Sequence, residues 1–241
     1  MGLSTRRIRA IFRKELREYR RNGSLVIGTM AIIPLLFVIP SLVDVFALPA
    51  SAASTLRHED ALLYMLGIPA IVPAVVAAYS VVGERQQGTL EPALTTPIRR
   101  DEFLLAKALA AVIPSLAIAY VVYAFVLVCV ETFADPAVAS ALVRGPSIVA
   151  QLLFTPLLAA WSIWIGIAIS TRTNDIRVAQ QLGTLASLPT VAVTTLIAYD
   201  VIHATLGLAL ILAAALLILN GLGWRLTSAM FDSERLIVAA R

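Results

Sequence analysis

The chain has 241 residues, of which 59% are hydrophobic and 14% charged, with a formal net charge of +4. Soluble domains carry about one quarter charged residues, and a mean hydropathy of +0.87 leaves too few polar groups to cover a water-exposed surface of this size. The composition therefore excludes an ordinary soluble domain and points to a membrane protein.

Residues 4–21 come first, and they predict an amphipathic helix. Ile8, Ile11, Phe12, Leu16 and Tyr19 recur at helical spacing, while eight Lys and Arg side chains occupy most of the remaining circumference. Such a helix lies in the membrane interface with its cations near anionic headgroups. It either anchors topology or acts as a lever against a cytoplasmic partner, and the sequence leaves both open.

Six runs of 22 residues or more then lack Asp, Glu, Lys and Arg, and about 20 apolar residues cross the hydrocarbon core as a helix. The predicted fold is an all-α membrane protein, a single transmembrane domain over 1–241. Its six spans lie at about 23–43, 61–83, 108–130, 148–170, 179–199 and 202–223. Alternating short segments of the β-barrel kind are absent from the sequence. Five of these spans contain proline (Pro34 and Pro40, Pro69 and Pro73, Pro114, Pro156, Pro189), which neighbouring helices accommodate inside a bundle. Ala50-Ser51-Ala52 resembles a signal cleavage site, but the apolar run before it is too long for a signal peptide, so the first span is expected to be retained.

With the N-terminus inside, 17 of the 19 Lys and Arg residues fall on the cytoplasmic side, and only Arg57 and Arg144 do not. This asymmetry places both termini in the cytoplasm. The basic pI of about 9.6 is thus a topology signal, and no nucleic-acid partner is expected. The single cysteine, Cys129, permits no internal disulfide. His58 and His203 read as interfacial polar residues. No metal site, bound cofactor or catalytic group is expected.

Between spans two and three lies the polar stretch from Gly83 to Lys107. Gly88 allows a sharp turn, Thr89 is a natural N-cap, and Glu91 suits the first turn of a helix. Pro97 turns Thr96 away from helical geometry. The pattern predicts a short helix at about 89–96, either a simple connection or a rigid knob presented to a partner. Asp101 and Glu102 then open the next helix, and Lys107 marks the membrane boundary.

This stretch resembles the signature of the ABC-2 family of transporter permeases. Glu84, Gly88, Thr89, Leu90, Glu91, Leu94, Thr96, Pro97, Arg100, Glu102 and Lys107 match its pattern, while Pro92, Ala93 and Ala106 depart from it. A second likeness covers Ser170 to Asn174 and Ala179 to Gly183, as far as Pro189. The resemblance implies a permease of a prokaryotic plasma membrane that couples ATP hydrolysis to export. Two copies of a separate ATP-binding subunit would hold ATP and Mg, and a second permease, identical or related, would complete the path. Glu84, Gly88, Thr89, Leu90, Glu91, Leu94 and Pro97 are then the residues that couple to the ATP-binding subunit, and 4–21 is the connecting helix. The chain lacks Gly-x-x-x-x-Gly-Lys-Ser/Thr: neither Lys14 nor Lys107 completes it, so the ATPase must be another protein.

Thr184, Ser187, Thr190 and Thr194 on the fifth span are candidates for lining a path, although such hydroxyls also bond their own helix. An ion-coupled carrier is an alternative, disfavoured because the six runs hold no ionisable residue but the outward His203. A non-transporting assembly subunit is a further alternative. An intramembrane enzyme finds no nucleophile–base pair.

Overall fold

In a computed structural model, residues 4–21, 23–47, 49–56, 59–86, 88 and 99–230 are described, and among them all regular structure is helical. Helix α1 spans Thr5–Arg21 and α2 spans Gly23–Ala47. A 3-10 turn at Ala50–Ala52 leads into the one-turn α3, Ala53–Leu56. A second 3-10 segment, Ala61–Leu66, runs directly into α4, Gly67–Gln86. Then come α5 (Arg100–Phe133), the short α6 (Pro136–Leu142), α7 (Gly145–Arg172), α8 (Ile176–Ala198) and α9 (Leu206–Met230).

Among the described residues, five helical segments are long and apolar enough to cross a membrane: Ala61–Gln86, Asp101–Phe133, Gly145–Arg172, Ile176–Ala198 and Leu206–Met230. Helix α2 contributes a shorter apolar stretch, Met30–Val43, within its 25 residues. The protein is thus a multi-pass membrane protein. Successive long helices run up and down, so the bundle has an α1 end and a far end.

Helix α4 is the hub. From Gly67 to Glu84 every residue is buried, enclosed by α7 and α8 with α5 and α2 completing the ring. Small side chains make this possible, since lipid tails supply no hydrophobic drive between helices and close backbone approach must do the packing. A Cβ added to Gly166 of α7 would meet the Ala74 carbonyl oxygen of α4 at 2.3 Å, and one added to Gly183 of α8 would lie 3.4 Å from the same atom. Polar pins reinforce the contact: Ser162 Oγ donates to the Ala70 carbonyl at 2.6 Å.

Helix α9 is peripheral and rests mainly on α7. Trp164 Nε1 donates to Asn220 Oδ1 at 3.1 Å, and Asn220 Nδ2 donates to the Leu157 carbonyl at 3.1 Å. Trp164 also meets the Trp224 ring edge-on, 5.5 Å between centroids.

The far-end connections are more than loops. Ala53, Leu56, Val138, Ala141 and Leu142 are buried, so α3 and α6 pack on one another as a small cap. Asp135 caps α6 by accepting from the Ala137 amide at 2.8 Å, ahead of Pro136 in the first turn. Asp60 accepts from Ser147 Oγ at 2.7 Å and pairs with Arg144, whose guanidinium also donates to the Glu59 carbonyl.

The third long helix begins at Arg100, and Lys107 lies inside it with a fully buried side chain. The beginning at Asp101 and Glu102 is as the sequence suggests: Glu102 Oε2 accepts from the Arg99 amide at 3.4 Å. The expected exposure of the α1 apolar face to acyl chains is revised. Ile11 and Tyr19 are buried, and Ile8, Phe12 and Leu16 are partly buried against the protein core.

Candidate functional site

The α1 end of the bundle gathers charges from three helices. Glu15 sits in the apolar stripe of α1 between Ile11 and Tyr19, four residues from each. Its carboxylate accepts from Lys107 Nζ of α5 at 2.8 Å. Lys107 Nζ also reaches Glu84 Oε2 of α4 at 3.0 Å, donates to the Ser80 carbonyl at 2.8 Å and lies 5.0 Å from the Phe103 ring centroid. Lys14, the half-exposed neighbour of Glu15, pairs with Glu84 Oε1 at 2.5 Å and Glu18 at 3.3 Å. The side chains of Glu15, Glu84 and Lys107 are 2% exposed or less.

Burial at this depth makes each charge depend on the others, because removing one partner strands an ion in low dielectric. On α1, burial pushes the Glu15 carboxyl above its ordinary range, against the pull of Lys107. Burial pulls Lys14 down, but the hydrogen bond and charge of Glu84 outweigh it and leave the ammonium above its usual value. Burial also drives the Tyr19 hydroxyl well up. Its ring meets Tyr79 of α4 edge-on at 6.4 Å.

Two further ties close the junction. At the start of α1, the Ser4 amide donates to Glu102 Oε1 at 2.7 Å and Arg7 pairs with the same carboxylate at 3.5 Å. On the other side, Arg85 donates to the carbonyls of Thr171 and Thr173 at 3.1 and 3.0 Å and to Asn174 Oδ1 at 2.8 Å, while Gln86 donates to the Asn174 carbonyl at 2.9 Å. The turn between α7 and α8 is thereby clamped to the end of α4. Asp175 caps α8 by accepting from the amides of Arg177 and Val178.

Just above this clamp a side chain of α7 bonds the backbone of α4. Ser170 Oγ of α7 accepts from the Val81 and Val82 amides at 3.1 and 3.0 Å and donates to the Ala78 carbonyl at 2.6 Å. Ser80 Oγ takes the Ala77 carbonyl at 2.7 Å. These contacts lie directly before Glu84.

Gly88 has φ +66, the left-handed conformation that glycine adopts without strain, so the chain does turn sharply there. Thr89, Leu90, Glu91, Leu94 and Pro97, with the short helix expected at 89–96, lie outside the described residues. Both flanks of that segment, Gln86 and Arg99, leave from the charged junction.

The sequence profile described as ABC-2 family transporter protein matches residues 9–223. The chain belongs to the ABC-2 transporter family. No individually curated protein matches it. The match takes in most of α1 and every long helix, so the junction and the bundle of this ABC-2 protein belong to one unit.

The other sequence candidates in this transporter protein divide. Ile8, Ile11, Phe12, Leu16 and Tyr19 share the packed face of α1. Glu84 is not displayed on the surface but holds α4 to α1 and α5. On α8, the hydroxyls of Thr184, Ser187 and Thr194 donate to the carbonyls of Gln180, Gly183 and Val191. Thr190 and Thr194 border an apolar cavity, which Thr184 and Ser187 do not.

Sequence reasoning missed Lys14, Glu15, Lys107, Ser170 and Arg85 as a group. One signal was available: Glu15 interrupts the apolar stripe of α1, where an acid is stable only opposite a cation.

Proposed function

We propose that this ABC-2 protein is the permease subunit of an ATP-driven exporter. It docks a separate ATP-binding subunit through the segment 89–96 and passes the force of that partner into the bundle. The observation that carries this reading is the ionic junction: Lys107 and Glu84 flank the docking segment on its two helices, and both are bound to α1 through Glu15 and Lys14. A push on residues between Gln86 and Arg99 is thus shared at once by α1, α4 and α5, and through Arg85 by the α7–α8 turn. Glu84, Gly88, Thr89, Leu90, Glu91, Leu94 and Pro97 form the coupling group, and the packed face of α1 gives it lateral support.

In this reading the α1 end faces the cytoplasm of a prokaryotic cell and α2 is the first of six spans. Two ATP-binding subunits carry ATP and Mg, and two permease chains pair to form the path.

Reconstituted vesicles holding the permease with its ATP-binding subunit test the proposal. Leu90→Ala or Glu91→Ala is expected to abolish ATP-dependent substrate movement while ATP binding to the partner persists. Transport that continues without ATP, driven by an ion gradient, would overturn it in favour of a secondary carrier.

A further inference from the structure

An apolar cavity of about 330 Å³ lies between α7, α8 and α9, in the part of the bundle toward the far end. Its existence follows from how α9 is held. Asn220 and Trp224 fasten α9 to α7 near the α1 end, whereas the lining residues Leu208, Leu212 and Leu219 face a gap over the rest of the helix. From Leu208 to Leu219 the lining extends about 16 Å along α9 at the rise of an α-helix, and from Ala150 to Trp161 it extends about as far along α7. The space therefore extends along both helices.

Its chemistry is equally one-sided. Apart from three threonines and Trp161, the lining is aliphatic, phenylalanine or proline. Two of the threonine hydroxyls are turned to their own backbone: Thr194 donates to the Val191 carbonyl, and Thr205 accepts from the Leu208 amide at 3.1 Å. Water is a poor occupant of such a space, since it needs two to four polar partners, and apolar cavities take up apolar ligands instead. Outside the cavity, α8 and α9 expose Leu196, Leu206 and Leu210, a surface suited to hydrocarbon.

We propose that this cavity is a binding site for one hydrocarbon chain of a membrane amphiphile. The chain lies along α9 with its inner end at Trp161, and its polar end leaves beside Ala204 and Thr205 at the far end. An extent of about 16 Å along α7 and α9 suits an extended chain, and the aliphatic lining supplies dispersion contact along its whole extent. The site stands independently of ATP coupling, because it rests on the packing of α7, α8 and α9 with Leu63 and Leu66 of the Ala61–Leu66 turn.

Trp161 provides the probe. The full chain keeps its three tryptophans, and the signal of Trp161 at the cavity wall is the quenching that Trp161→Phe removes. The chain is titrated in detergent micelles with a doxyl-labelled fatty acid and, separately, with a phospholipid bearing the same labelled chain. Saturable quenching of Trp161 is expected, lost when Ala209→Phe fills the cavity and retained in Ala214→Phe, which faces outward on the same helix. Saturation by both probes assigns a lipid tail, and saturation by the fatty acid alone assigns a single-chain amphiphile. Far-UV circular dichroism checks that Ala209→Phe keeps native helicity, and Ala215→Phe replaces it if it does not. Quenching that rises linearly with probe, or that survives a folded cavity-filled variant unchanged, refutes the site.

Discussion

The two ends of the bundle are held together by opposite means. At the α1 end, buried ion pairs lock α1, α4 and α5, and a buried serine of α7 bonds the backbone of α4 beside them. Toward the far end, α9 stands off from α8 around an apolar space, and the ion pairs Asp60 with Arg144 and Asp200 with His203 lie at the rim. The difference teaches where stiffness resides. Interlocked charges in a low dielectric tolerate few alternative arrangements, because any separation strands an ion. Hydrocarbon contacts are non-directional and exchange partners at little cost. By this contrast the α1 end resists rearrangement more than the far end does.

The contrast has measurable consequences, the largest at Lys107. Replacing it with alanine leaves Glu15 and Glu84 buried without their shared cation, and about 3–5 kcal/mol of stability is expected to go. Denaturation in mixed micelles measures this. The pH dependence has a definite sign. The native carboxyl of Glu15 holds its proton above the ordinary value, so the native state binds more protons than the unfolded one in that window and stability falls as pH rises through it. Removing Lys107 removes the group that opposes this shift, so the window extends upward and the variant recovers stability on acidification. A variant equally stable at all pH values would show that the cluster is not a buried lock.

A smaller effect is expected from Ser170→Ala, which deprives the Val81 and Val82 amides of their acceptor. About 1–3 kcal/mol is the usual cost of stranding buried donors, read by thermal unfolding. Hydrogen exchange at these two amides should accelerate. If it is unchanged, Ser170 does not protect these amides.

The smallest effect lies at the far end. The hydrogen bond to Asp200 raises the pKa of His203, which is otherwise fully exposed. The stability this contributes is present while the imidazole is protonated and is lost as pH rises through the raised value. Titration followed by NMR should show the shift, and Asp200→Asn should return His203 to the ordinary histidine range with no change in the fold. A titration indifferent to Asp200 would contradict the rim pairing.

Much of the architecture was legible because a membrane restricts the possibilities. Long charge-free runs have few fates other than spanning helices, since every backbone group in hydrocarbon must be satisfied within its own segment. The amphipathic pattern of 4–21 likewise identified the packed face of α1, and Gly88 announced its turn. Less legible was which polar residues would meet. Glu15, Glu84 and Lys107 are separated by 69 and 23 residues, and each reads singly as an interfacial charge. The hydroxyls on α8 were read as possible lining, yet Ser187 and Thr184 serve their own helix, while the cavity is walled by leucines that any span could carry.

The amino-acid order by itself determined the class, the helical spans and the family, because hydropathy and local motif spacing are properties of contiguous residues. Only tertiary packing decided that α4 is the buried hub, that a lysine 23 residues beyond Glu84 joins it to α1, and that α9 leaves a space beside α8. Those outcomes depend on which helix faces touch. Contact between faces is settled by small-residue complementarity and charge pairing across segments far apart in the chain, which no local pattern encodes.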